Sequence, residues 1–202
     1  MLKVAALFLF FSVPCFGQAA NIYLSQSGGT FSGGTACNGH SAQAYTFFNS
    51  SGNWGSGGSQ IGSDTVVWIC GTIACSGAGA SALTFQGSGT SGHPVTIKFD
   101  TGGDLSCSSY WGDNAFTGGP GAINCSSKNY VTVDGNNVGI VENTNNGTGL
   151  GNQHNSTGIY FNDCGNPTIK NLTISNIFLK TNVSVIYEFG VGVWIVEATT
   201  GW

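Results

Sequence analysis

Asn171-Leu172-Thr173-Ile174-Ser175-Asn176-Ile177 decides how this chain is read. Apolar residues alternate with small polar ones, the period of a strand with one buried face. An asparagine stands where the strand should bend. Related phrases occur upstream as Val95-Thr96-Ile97-Lys98-Phe99 and Tyr130-Val131-Thr132-Val133-Asp134-Gly135. Short strands recurring between Gly and Asn turns describe a chain wound into stacked coils. Ile97, Val133 and Ile169 stand 36 residues apart in turn. Stacked, they make an inward Val/Ile column, with neighbouring coils ~4.8 Å apart. The residues one step on, Lys98, Asp134 and Lys170, then make an outward column.

Composition supports strands and narrows function. Charged residues are 7% of the chain, against ~25% in an ordinary soluble domain. Hydrophobic residues are 41%, and 33 residues are glycine. That apolar content excludes disorder, and the scarcity of Glu and Lys removes the usual helix formers. Arginine is absent and the net charge is −4, so no basic patch exists to hold nucleic acid. Asn38-Gly39 and Asn146-Gly147 lie inside long polar loops, not between alternating strands. Hairpins are therefore not signalled, and the strands are expected to run parallel. Asparagine suits the bends because it tolerates left-handed backbone.

Strands are expected at Asn21–Ser25, 64–73, 83–85, Val95–Phe99, 122–125, 130–134, 139–143, 158–161 and 168–178. The connection 100–121 reads as a loop carrying Tyr110, Trp111 and Phe116. Ser41 is a good N-cap, and Ala44, Tyr45, Phe47 and Phe48 give residues 42–49 an apolar side. That segment is predicted as an amphipathic helix covering the open end of the stack.

The first residues carry an export signature. Lys3 precedes the apolar run 4–13, and Gly17, Ala19 and Ala20 offer small residues for cleavage. Cys15 is not a lipidation site, because Pro14 precedes it. The apolar run is shorter than the ~20 residues a membrane span needs. The reading divides the chain into a signal peptide (1–19), a strand domain (20–178) and an atypical end (179–202). In that end, residues 183–196 are apolar, too short to cross a bilayer, and suited to one more strand pair or a seal on the last coil. The lack of a polar cap there suggests a truncated product.

Cys37, Cys70, Cys75, Cys107, Cys125 and Cys164 remain after signal removal. They permit three disulfides in 15 pairings, Cys70 and Cys75 being near enough to close a small loop. The alternative is that several are buried small hydrophobes. No Cys-x-x-Cys pair exists and His40, His93 and His154 are scattered, so zinc is not indicated.

Together these segments resemble the pectin-lyase-like, right-handed parallel β-helix proteins exported by bacteria. The resemblance rests on Ile22-Tyr23-Leu24, the predicted capping helix with Trp54 after it, and Asp64-Thr65-Val66 with Cys70-Gly71-Thr72-Ile73. It continues through Ser88-Gly89-Thr90 with Pro94 to Phe99, Tyr130 to Gly135, and Asn171-Leu172-Thr173-Ile174. It covers about residues 21–178 and implies an all-β, right-handed parallel β-helix with an N-terminal capping helix. It also implies a secreted or cell-surface protein associated with extracellular polysaccharide. Resemblance to the lyases would imply calcium ligands and an Arg or Lys base, and only Lys98, Lys128, Lys170 and Lys180 could serve. Resemblance to the galacturonases would imply a Gly-His-Gly turn, which Gly39-His40-Ser41 and Gly92-His93-Pro94 both fail at the third position. No catalytic residue is carried over. The alternatives are a lyase or glycoside hydrolase fragment and a surface structural or adhesive module.

Two groups remain as substrate-binding candidates. The column of Lys98, Asp134 and Lys170 offers a carboxylate between two ammonium groups, able to hold an acidic sugar or abstract a proton from one. The competing reading is an exposed ion pair worth ~0–1 kcal/mol. Tyr110 and Trp111 either stack on sugar rings or fold back over the coil and are buried. Asp100, Asp104 and Asp113 could gather calcium, but no EF-hand or RTX spacing supports them, so no cofactor or metal is assigned.

Overall fold

The computed structural model describes residues 21–112, 120–147, 149–152, 154–177 and 190–196. They form an all-β protein of three sheets. The first sheet contains β1 (Asn21–Ser25), β2 (Gly29–Thr30), β3 (Ser41–Ala44), β4 (Val66–Ile69), β7 (Val95–Phe99), β10 (Val131–Asp134) and β13 (Thr168–Lys170). The second contains β5 (Thr72–Ala74), β8 (Asp104–Cys107), β11 (Ile140–Asn143) and β14 (Thr173–Ser175). The third contains β6 (Leu83–Thr84), β9 (Ile123–Ser126), β12 (Ser156–Asn162) and β15 (Gly190–Val196). From β4 onward each strand pairs in parallel with the strand three places along the chain. The chain thus visits the three sheets in turn and returns to the first. The antiparallel pair β2–β3 makes the first sheet mixed.

Register follows the alternation in the sequence. Ile22, Val67, Ile97, Val133 and Ile169 lie opposite one another across five strands. The first four of these are buried. Ile73, Leu105, Val141 and Ile174 form the matching column of the second sheet. Leu83, Ile123 and Ile159 form that of the third. A one-residue slip would turn every one of these side chains outward.

The bends are made by left-handed residues. Between the first and second sheets stand Gly71 (φ 70°), Gly102 (φ 79°), Asn136 (φ 55°) with Asn137 (φ 62°), and Asn171 (φ 54°). Glycine and asparagine are the residues that enter this region with least strain. The strand expected over 168–178 therefore divides at Asn171 into β13 and β14. The connections 75–82, 108–122 and 144–155 each run from a strand of the second sheet to one of the third.

Three disulfides link Cys37 to Cys70, Cys75 to Cys107 and Cys125 to Cys164. Cys70 and Cys75 do not pair with each other. They follow β4 and β5, on different sheets, and each meets a cysteine from a neighbouring circuit instead.

The helix expected over 42–49 is not formed. Residues 41–44 are β3, which joins β1 in parallel and β2 in antiparallel fashion. Ala42 is buried and Gln43 exposed, a strand alternation. Short 3-10 turns follow at Tyr45–Phe47 and Ser51–Asn53. The free edge of β1 offers this backbone a ladder, whereas the expected helix has no acidic residue in its first turn and no side-chain cap at its actual turn. Phe48 still closes the core, fully buried, with its ring edge-on to Trp54 and Phe85.

Asp100, considered above for calcium, is buried and serves the fold. Oδ2 accepts the Cys37 N–H at 2.8 Å and the Thr35 N–H at 2.9 Å. Burial alone would raise its pKa, but the amides of Cys37, Ala36, Thr101 and Thr35 outweigh it and hold it below the usual range. Asp113 lies outside the described residues, as do residues 1–20.

The inward column predicts a sharp contrast between adjacent positions. Ile97→Ala should cost about 3 kcal/mol, and Thr96→Ala on the outward side less than about 0.5 kcal/mol. Chemical denaturation monitored by circular dichroism measures both.

Candidate functional site

The pleat that buries Ile97 turns Lys98 outward. Across the first sheet Tyr23 lies opposite Trp68, Trp68 opposite Lys98, Lys98 opposite Asp134, and Asp134 opposite Lys170. The expected outward column therefore exists, and two aromatic residues extend it. Beside it runs a second outward line, Val66, Thr96, Thr132 and Thr168.

The two lysines behave differently. Lys170 Nζ lies 3.5 Å from Asp134 Oδ2. Lys98 sits over the Trp68 ring, 5.1 Å from its centroid. The carboxylate is thus paired on one side, while the second ammonium rests on an aromatic face. Asp134 Oδ1 accepts the Asn136 N–H at 2.9 Å and the Asn171 side-chain N–H at 3.1 Å. Burial pushes the Asp134 pKa up, but Asn136, Asn171 and Lys170 outweigh it and hold it below the usual range. Trp68 Nε1 donates to Asn21 Oδ1 at 3.1 Å. Tyr23 stacks on His40 with centroids 4.2 Å apart. The result is one face on which two half-buried rings, half-buried Lys98 and exposed Lys170 surround a buried carboxylate.

Tyr110 and Trp111 do not join it. Trp111 is 0% exposed and Tyr110 8%, which decides for burial over stacking on an exposed sugar. Trp111 Nε1 donates to the Glu142 carbonyl at 2.8 Å, and its backbone N–H to Asn143 Oδ1 at 3.0 Å. Tyr110 stacks on His154 at 4.4 Å, joining two long loops. Large rings in a polar loop found their partners inside the protein.

A second constellation was not anticipated. Asp104 and Glu142 point outward from the second sheet on neighbouring strands, two residues out of register. Ser106 and Ser175 donate to the two Glu142 oxygens at 3.3 and 3.4 Å. Asp104 Oδ1 is buried without a hydrogen-bond partner. Burial and then the Glu142 charge raise the Asp104 pKa to about 6. The phrase Asp104-Leu105-Ser106-Cys107 alternates as a strand does. That signal was available, but the glycines before it disguised it. Among the described residues no three His, Cys, Asp or Glu side chains converge to hold a metal ion.

Compared with protein families, with curated proteins and with solved structures, the chain matches none of them.

The raised Asp104 pKa sets a pH dependence. The folded state holds this proton more tightly than the unfolded chain, so the contribution is full below about pH 4 and is lost as pH rises to about 6. Solvent around a half-buried carboxyl reduces the effect to about 1 kcal/mol. Asp104→Asn should therefore be more stable than the parent at pH 7 by that amount and lack the decline. Denaturant midpoints measured from pH 3.5 to 7.5 check it. A parent curve that rises through this window would contradict it.

Proposed function

We propose that this protein is a secreted, right-handed parallel β-helix that holds an extracellular polysaccharide along the outward face of its first sheet. The fold reading rests on strands that pair three places apart around three sheets. Export is supported by the N-terminal signature and by three disulfides, which suit an oxidising compartment. Among the described residues no helix is long and apolar enough to cross a membrane.

The observation that carries the reading is the row Tyr23, Trp68, Lys98, Asp134 and Lys170. Its steps repeat at the strand spacing of ~4.8 Å. A regular ladder suits a regular polymer. Half-exposed rings offer apolar faces to sugar C–H groups, and the two ammonium groups offer partners to sugar carboxylates. The whole chain is acidic, so this attraction is local.

A second reading rests on Asp104 and Glu142. A carboxyl that keeps its proton to about pH 6 beside a carboxylate is the pairing a glycoside hydrolase uses, one group as acid and the other as base or nucleophile.

Retention on columns of acidic polysaccharide, with and without calcium, tests the first reading. Trp68→Ala and Lys98→Ala should each weaken binding about fivefold to tenfold, corresponding to ~1 kcal/mol for an exposed ring or cation–ring contact. Parent protein that flows through would contradict it and leave a structural or adhesive module. New reducing ends, absent in Asp104→Asn, would establish the hydrolase. New unsaturated ends absorbing in the near ultraviolet would establish a lyase.

A further inference from the structure

We infer that a groove beside Trp54, separate from the ladder, is a binding site for an uncharged saccharide. The groove holds about 660 Å³, within the range of small-ligand sites. One wall is the loop that follows the second 3-10 turn, and the other is the segment 86–88 after β6. Its lining contains no Asp, Glu, Lys, Arg or His. It consists of hydroxyl, amide and glycine groups, with Ile61, around one indole ring. That chemistry disfavours phosphates, carboxylates and metal ions, and suits a ligand bearing many hydroxyls and no charge.

The indole is set for this role. Trp54 Nε1 donates inward to the Phe48 carbonyl at 2.7 Å. Its ring packs edge-on to Phe48 and Phe85. With its only polar atom engaged, the half-buried ring has only carbon surface to present to the groove. Apolar ring surface among a few polar groups is the usual make-up of a small-ligand site. The hydroxyls of Ser51 and Ser56 make no hydrogen bond within the described protein, and neither does the Gln86 amide oxygen.

The groove is also held open in advance. Gly55 N–H donates to the Ile61 carbonyl at 2.9 Å, and Ile61 N–H to the Asn53 carbonyl at 2.8 Å, closing the loop at its base. Gln60 pins the tip, its Oε1 accepting the Gly57 N–H at 3.0 Å and its Nε2 donating to the Gly52 carbonyl at 3.2 Å. On the far wall a Cβ at Gly87 would lie 2.8 Å from the Trp54 ring, so only glycine lets that wall come so close. Ser88 Oγ accepts the Asn129 N–H at 3.0 Å and ties the wall to the turn between β9 and β10. A loop already ordered loses little entropy when a ligand arrives.

Replacing Trp54 would disturb the core, so the test fills the groove instead. A Cβ at Gly58 meets nothing within 4 Å, and Gly58→Trp should occlude the space without unfolding the protein. Cellohexaose, xylohexaose and mannohexaose are titrated by calorimetry against the parent, Gly58→Trp, Gln86→Ala and Trp68→Ala, with adenosine as a control ring. The inference expects one of the hexasaccharides to bind the parent. Gly58→Trp should weaken it by at least about tenfold and Gln86→Ala by a smaller factor, with Trp68→Ala unchanged. Unchanged thermal midpoints establish that the variants fold. No hexasaccharide binding to the parent would overturn the inference, as would adenosine binding in their place. Binding lost in Trp68→Ala but kept in Gly58→Trp would overturn it too, and assign the saccharide to the ladder.

Discussion

Side chains of equal register lie opposite one another across the described parallel strands of all three sheets, and the rest of the molecule answers to that stacking. Ile22, Val67, Ile97 and Val133 are fully or almost fully buried in one column. Each aliphatic residue removes its neighbour from water, at ~25 cal/mol per Å² of apolar surface. Among the described residues the buried carboxylates, Asp100 and Asp134, lie outside this aliphatic cluster. The cost of polar burial is met at the margins, where Asp100 gathers amides and Asn143 joins Trp111 to Ser156.

Stacking of this kind constrains the bends. The turn from the first sheet to the second must recur at the same height in each circuit, and left-handed glycine or asparagine makes it every time. It also constrains the surface. Because pleated side chains alternate, a column that is aliphatic inside dictates a column of equal spacing outside. The row from Tyr23 to Lys170 is that outer column, and its position is a consequence of the core. The Asp104–Glu142 pair is the corresponding product of the second sheet.

Much of this was legible because period-2 alternation is a local signal. β1 and β7 are read with their observed bounds, and the 36-residue spacing places Ile97, Val133 and Ile169 in one column and Lys98, Asp134 and Lys170 in the next. Other features depend on contacts no local pattern carries. Ala42 and Ala44 suit a helix until the edge of β1 is available to pair with. β8 was hidden behind Gly102 and Gly103, whose turn reads as part of a loop. Trp68 entered the site through an opposite residue 30 positions away. The groove beside Trp54 depends on Gln60 folding back on its own loop, which a run of Gly and Ser does not announce. The cysteines allowed many partners, and only the stacking of circuits selects among them.

That selection gives the most direct test of the account. Proteolysis without reduction, followed by mass spectrometry of the linked peptides, reads the pairing of the six cysteines. Stacked circuits require Cys37 with Cys70, Cys75 with Cys107, and Cys125 with Cys164. A Cys70–Cys75 link would close a loop within one circuit and leave Cys37 and Cys107 without the partners that stacking gives them, and a Cys37–Cys164 bond would join circuits that do not touch; either would contradict the stacking on which the structure depends.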